Sequence, residues 1–141
     1  RGDNGVPSFR VRLPREGFRG RKDHKTGHKK RVLLVDDDEA LLVLSREILE
    51  LEGHICDSVS TADEALIVLE SKEYDLIVTD VRLPGISGLA FREIAEARWP
   101  KLQGRFVFVT GLSLQSTPDV RLLQKPFTPN QLINIVLEAG G

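Results

Sequence analysis

Three carboxylates, one hydroxyl and one ammonium stand at the ends of short apolar runs in this chain. Asp36 and Asp37 follow Val32–Val35, Asp80 follows Tyr74–Thr79, Thr110 closes Arg105–Val109, and Lys125 follows Leu122–Gln124. The short apolar run Val32–Val35 reads as a strand covered on both faces and the other three stretches also read as strands, Leu122–Gln124 weakly, so these polar groups sit where strands end. Core positions would be apolar, and a core role does not account for polar groups at four strand ends. If the strands are neighbours, the carboxylates meet. Like charges a few Å apart repel strongly, so raised pKa values, a cation or a basic side chain must neutralise them. Ligands made only of oxygen suit a hard cation such as Mg²⁺, which keeps some waters and also binds phosphate oxygens. Lys125 can bring an ammonium to the same edge, and Thr110 a hydroxyl.

The elements that must position these groups alternate regularly from Arg31 onward. After the first strand, Leu41, Leu44, Ile48 and Leu51 recur at helical spacing, and Gly53 stops that helix. Ile55–Val59 reads as the second strand. Thr61 is an N-cap with Glu64 completing a capping box, and Ala62, Ala65, Leu66 and Leu69 form the buried stripe of the next helix. Tyr74–Thr79 is the third strand, Leu83-Pro84-Gly85 a turn, and Phe91, Ile94 and Ala95 one face of a helix closed by Trp99-Pro100. Arg105–Thr110 and Leu122–Gln124 are the fourth and fifth strands. Thr128-Pro129 caps and opens a last helix carrying Leu132, Ile133 and Val136. Strand–helix alternation repeated about five times predicts a parallel sheet with helices on both faces. At this size the expected fold is a flavodoxin-like (βα)5 three-layer sandwich with strand order 2-1-3-4-5. Its ligand crevice lies outside the carboxyl ends of the first and third strands.

Composition divides the chain in two. Residues 1–30 hold ten Lys/Arg against three Asp/Glu, and residues 31–141 hold ten against eighteen. Segments of +7 and −8 therefore sum to the net −1. The first 30 residues offer little to bury and are expected to be a tail and linker, with the globular domain over 31–141. The chain lacks Met and begins at Arg1, as expected of a piece of a longer protein. No apolar run approaches the ~18 residues needed to cross a membrane, and no signal sequence opens the chain. Cys56 is the only cysteine, so no internal disulfide forms, which fits a reducing, cytoplasmic setting with no membrane contact by this segment.

Four segments carry a resemblance: Val32-Leu33-Leu34-Val35-Asp36-Asp37-Asp38, the stretch from Tyr74 through Asp80-Val81-Arg82-Leu83-Pro84-Gly85-Ile86-Ser87-Gly88, Val109-Thr110-Gly111, and Lys125-Pro126-Phe127. Together and in this order they resemble the response-regulator receiver family, over residues 31–139. The resemblance implies a two-component phosphorelay in which Asp80 is the phosphoacceptor and takes its phosphoryl group from phosphohistidine. It implies Mg²⁺ held by Asp36, Asp37, Asp80 and the backbone carbonyl of Arg82. Lys125 would offset the charge of the transferring group, Thr110 would hydrogen-bond the bound phosphoryl group, and the Lys125-Pro126 peptide would be cis. The implied partner is a phosphohistidine-bearing kinase or phosphotransfer protein. Residues 5–14 in turn resemble the closing strand of a histidine-kinase ATP-binding domain. On that reading the parent is a hybrid sensor histidine kinase, itself a phosphotransferase, with this receiver behind its catalytic core. A stand-alone response regulator is the alternative.

The chain departs from the family pattern in two places. Only fourteen residues separate Thr110 from Lys125, so the fourth helix is expected to be shortened. Leu122 stands where many receivers carry an aromatic switch residue. Among blander assignments, Asp38 and Glu39 are helix N-terminal charges, Asp75 a solvated residue at a strand opening, Cys56 a small core side chain, and His24, His28 and His54 surface residues. Arg82 pairs with a nearby carboxylate or faces water. A phosphatase of the haloacid-dehalogenase type also uses Asp and Mg²⁺ on a parallel sheet. Asp36 and Asp38 give its Asp-x-Asp, but Ala40 stands where that family has Thr or Val, and there is little room for a cap insertion. Nucleic-acid binding through the basic tail is not expected as the main function: the tail has few aromatics and no helix-turn-helix. No Gly-x-Gly-x-x-Gly follows the first strand, which argues against a dinucleotide enzyme.

Overall fold

A computed structural model describes residues 29–111 and 120–139. The alternating stretch Ser8–Leu13, the tail through residue 28 with His24 and His28, and the shortened helix expected beyond Gly111 lie outside these residues.

Five parallel strands form one sheet: β1 (Arg31–Val35), β2 (Ile55–Val59), β3 (Leu76–Asp80), β4 (Phe106–Thr110) and β5 (Arg121–Gln124), in the expected order β2-β1-β3-β4-β5. Four α-helices are described: α1 (Glu39–Leu51), α2 (Ala62–Leu69), α3 (Gly88–Arg98) and α4 (Pro129–Glu138), with a 3-10 turn at Pro100–Leu102. The flavodoxin-like reading holds. Successive strand side chains point to opposite faces, and both faces of β1 are covered. Val32 and Leu34 join Leu42, Leu49, Leu132 and Val136 on the α1/α4 side. Leu33 and Val35 join Ala65, Ile77, Phe91 and Phe106 on the α2/α3 side. There the Phe91 and Phe106 rings meet edge-on, 5.6 Å apart. Each buried Val, Leu, Ile or Phe among these stabilises by roughly 1.5–3 kcal/mol.

The helix ends follow local chemistry. Asp38 caps α1 by accepting the Leu41 N–H at 3.1 Å, and Glu39 is in the first turn, as expected. Gly53, at φ +95°, closes the turn after α1 in a conformation open chiefly to glycine. Thr61 caps α2, but Glu64 reaches back to the Ser60 N–H (3.0 Å) rather than to that of Thr61. Thr128 and Gln131 form a reciprocal capping box at α4, with Pro129 in its first turn.

Several expectations need correction. The stripe Leu41, Leu44, Ile48, Leu51 is not the buried face of α1. Leu42, Ser45, Leu49 and Glu50 are buried, while Leu44 and Leu51 are 51% and 53% exposed. The helix carries two overlapping apolar faces, and spacing alone does not choose between them. In α2 Val68 is buried and Leu66 only partly so. The third strand begins at Leu76 rather than Tyr74 and includes Asp80. His54 is buried, not on the surface, and its Nδ1 accepts the Lys30 N–H at 3.1 Å. Asp75 accepts the Arg31 N–H at 2.8 Å, so it braces the start of β1. Lys30, grouped with the tail by composition, is buried. Its ammonium donates to the carbonyls of Val136, Leu137 and Ala139 at the end of α4. Cys56 is a buried core residue, as expected.

Candidate functional site

Strand register brings the polar groups together. Val35 of β1 lies opposite Thr79 of β3, so Asp36 and Asp80, each one residue further on, emerge side by side at the carboxyl edge. Asp80 lies opposite Val109 of β4, which places Thr110 one residue beyond. Thr110 pairs with Gln124 of β5, and the Lys125 N–H donates to the Thr110 carbonyl at 2.9 Å. All the groups that the sequence places at the ends of the first, third, fourth and fifth strands therefore share one edge.

One carboxylate oxygen from each of Asp36, Asp37 and Asp80 lies within 4.8 Å of the other two; Asp37 is exposed and the others are buried. The Lys125 ammonium spans the gap, 3.3 Å from Asp36 Oδ2 and 3.2 Å from Asp80 Oδ2. Burial pushes the Asp36 carboxyl above its ordinary range, and the Asp80 charge adds to this. The Asp38 N–H, donating to Asp36 Oδ1 at 2.9 Å, and Lys125 pull the other way. Burial works against the Lys125 charge, but Asp36 and Asp80 outweigh it and hold its pKa above the usual lysine value. The cluster thus has a surplus of negative charge that one ammonium only partly offsets. Three carboxylates around a shared point, with no nitrogen or sulfur ligand among the described residues, form a donor set that fits Mg²⁺.

The loops are held tightly. The Arg82 N–H donates to Asp80 Oδ1 at 3.3 Å, while the Arg82 side chain is exposed. Gly85 has φ +80° in the turn that returns the chain toward α3, and Ser87 caps α3 by accepting the Ala90 N–H at 3.1 Å. The Lys125-Pro126 peptide is cis. Thr110 is buried. Asp38 turns its side chain to α1 and is not among the three clustered carboxylates.

Sequence reasoning gave no role to Thr79, which is completely buried and donates its hydroxyl to the Asp80 carbonyl at 3.0 Å. Its signal was present: one hydroxyl directly after Leu76-Ile77-Val78, between that run and Asp80. Away from the crevice, buried Asp57 accepts from the Tyr74 hydroxyl and from Lys72 Nζ (3.2 Å). No helix among the described residues is long and apolar enough to cross a membrane.

Comparison with known proteins matches residues 32–137 to the response regulator receiver domain family. The chain is 32% identical over 111 residues to the response regulator protein FleR of Pseudomonas aeruginosa, an alignment covering 75% of this chain and 24% of that protein. It therefore spans about a quarter of that relative's length. A CheY-like response regulator receiver domain protein from Methanospirillum hungatei JF-1 shares the fold with a TM-score of 0.68 and 30% identity, covering 78% of this chain and 92% of the other. The receiver domain of the sensor histidine kinase PA1611 from Pseudomonas aeruginosa PAO1 has a magnesium ion coordinated in its active site cleft. It gives a TM-score of 0.71 over 80% of this chain and 98% of its own; at 23% identity that likeness is one of fold.

Proposed function

Because the chain belongs to the response regulator receiver domain family, we propose that Asp80 accepts a phosphoryl group from a phosphohistidine. In this reading Mg²⁺ is held by Asp36, Asp37, Asp80 and the backbone carbonyl of Arg82. The observation that carries the reading is the convergence of three carboxylates and the Lys125 ammonium at one sheet edge. Asp38 caps α1 instead of entering the crevice, which weighs against the haloacid-dehalogenase alternative.

The chemistry follows from the placement. A carboxylate oxygen of Asp80 attacks the phosphorus in line with the nitrogen–phosphorus bond of the donor. The new oxygen–phosphorus bond forms as the old bond breaks, and its electron pair returns to the imidazole nitrogen. Charge on the three equatorial oxygens must be met by fixed positive groups. Lys125 stays protonated through the neutral range and is already anchored beside Asp80. Bound Mg²⁺ would supply further charge neutralisation at those oxygens. Thr110, which ends β4 at the same sheet edge, would hydrogen-bond the transferred phosphoryl group once formed.

The donor is a kinase or a phosphotransfer protein, and a cytoplasmic setting goes with donors charged from ATP. A hybrid sensor histidine kinase is the preferred parent. The Gly5–Pro14 resemblance and the short interval between Thr110 and Lys125 support it, and a sensor-kinase receiver from Pseudomonas aeruginosa shares the fold. A stand-alone regulator is the second reading, supported by the likeness to FleR.

The test is labelling from a phosphorylated histidine donor with Mg²⁺ present. Base-labile, acid-stable label should appear on the wild-type chain and vanish in a folded Asp80→Asn variant. Label persisting in that variant would show another acceptor and overturn the assignment.

A further inference from the structure

Asp80 ends β3, beyond which no strand regularity dictates where its carboxylate points. Its two oxygens are held by long contacts, Lys125 Nζ at 3.2 Å and the Arg82 N–H at 3.3 Å. A displacement of about 1 Å would take both out of hydrogen-bond range. Something must therefore fix the main chain from which the side chain hangs.

The Asp80–Val81 peptide is enclosed on three sides. The Thr79 hydroxyl donates to the Asp80 carbonyl at 3.0 Å. The Val81 N–H donates to the Val109 carbonyl of β4 at 3.1 Å, and one peptide further on the Val81 carbonyl accepts the Gly88 N–H at 2.8 Å. At Gly88 the first turn of α3 lies directly on this peptide. A Cβ there would stand 2.1 Å from the Asp80 carbonyl oxygen and 3.0 Å from both the Asp80 carbonyl carbon and Val81 Cα. All three neighbours are backbone. The absence of a side chain at Gly88 answers to that close approach, which no flexible group can relieve.

We infer that Thr79 and Gly88 are positioning residues for the reaction at Asp80: the Thr79 hydroxyl and the bare Cα of Gly88 clamp the Asp80–Val81 peptide and thereby aim the carboxylate and the Arg82 backbone. This rests on the reading of Asp80 as the phosphoacceptor. Thr79 is sealed from solvent, so its hydroxyl acts through the Asp80 carbonyl and touches no donor molecule.

The experiment measures the initial rate of Asp80 phosphorylation by acetyl phosphate at saturating Mg²⁺, beside the urea midpoint of each variant. Acetyl phosphate transfers its phosphoryl group to the carboxylate and releases acetate, so no protein partner intervenes. Thr79→Val keeps shape and strand preference but deletes the hydroxyl. Its saturated rate should fall about fivefold to tenfold, the equivalent of one hydrogen bond. Thr79→Ser should restore the rate to within about twofold. Gly88→Ala forces a shift of about 1 Å and should lower the rate about 100-fold. A Thr79→Val variant as fast as wild type would overturn the inference, as would equal loss in Thr79→Val and Thr79→Ser. If Gly88→Ala fails to fold, the Thr79 pair still decides. A wild-type chain that takes no label at Asp80 would instead overturn the phosphoacceptor reading, and this inference with it.

Discussion

Replacing Lys125 with Met should move two properties of the crevice in opposite directions. The ammonium lies 3.2–3.3 Å from oxygens of Asp80 and Asp36, and the three clustered carboxylates reach one another within 4.8 Å. A divalent ion among them would sit on the order of 5 Å from Nζ. At that separation a double charge and a single charge repel by roughly 2 kcal/mol in water-like surroundings, and by more in a drier site. Lys125 is partly exposed, so the water-like figure applies, and Lys125→Met should bind Mg²⁺ about tenfold more tightly or better. Transfer to Asp80 should nevertheless slow by at least about 100-fold, because the positive group beside the equatorial oxygens is gone. Without Mg²⁺ the variant should also unfold more readily, since Asp36 and Asp80 lose the ammonium that bridges them. Calorimetric Mg²⁺ titration at neutral pH, urea unfolding with and without Mg²⁺, and labelling rates would test all three. Weaker Mg²⁺ binding in a folded Lys125→Met chain would refute the reasoning, since it would mean that Lys125 builds the ion site instead of competing with it.

Lys30→Met removes three hydrogen bonds to the end of α4 and should lower stability by about 1–3 kcal/mol, with faster amide exchange confined to residues 136–139 and the start of β1; an unchanged urea midpoint would count against it. Tyr74 is the single tyrosine, so the phenolate absorbance band reports it alone. Burial, then the bond to Asp57 and its charge, hold its pKa above the ordinary 10.0. The folded chain therefore keeps this proton at pH values where the unfolded chain has lost it. The stability it contributes is complete below pH 10 and declines as pH rises past that value. The band should appear only on unfolding, and Tyr74→Phe should remove this part of the alkaline decline.

The sheet order and the crevice were legible because their signal is local. A charged residue directly after an apolar run marks a strand end, and parallel topology then forces those ends together. The α1 face was not legible. Leu41, Leu44, Ile48 and Leu51 keep helical spacing as well as the buried set does, and only packing against the sheet selects Leu42, Ser45 and Leu49. Lys30 and His54 looked like surface residues because their type favours water. Their burial depends on carbonyls more than 100 positions away for Lys30, and on the Lys30 N–H for His54. Thr79 was overlooked because a threonine within a β-branched run already has a sufficient explanation as a strand former.

The contacts of Lys30 also shape how this unit joins to anything else. One side chain binds the approach to β1 to the closing turn of α4, so the first strand begins and the last helix ends at a single pole. The crevice of Asp36, Asp37 and Asp80 occupies the opposite pole, a strand length away. Such a body behaves as a cassette. A host protein can carry it at either end, or within a surface loop, through one attachment point, and the acidic crevice still faces outward.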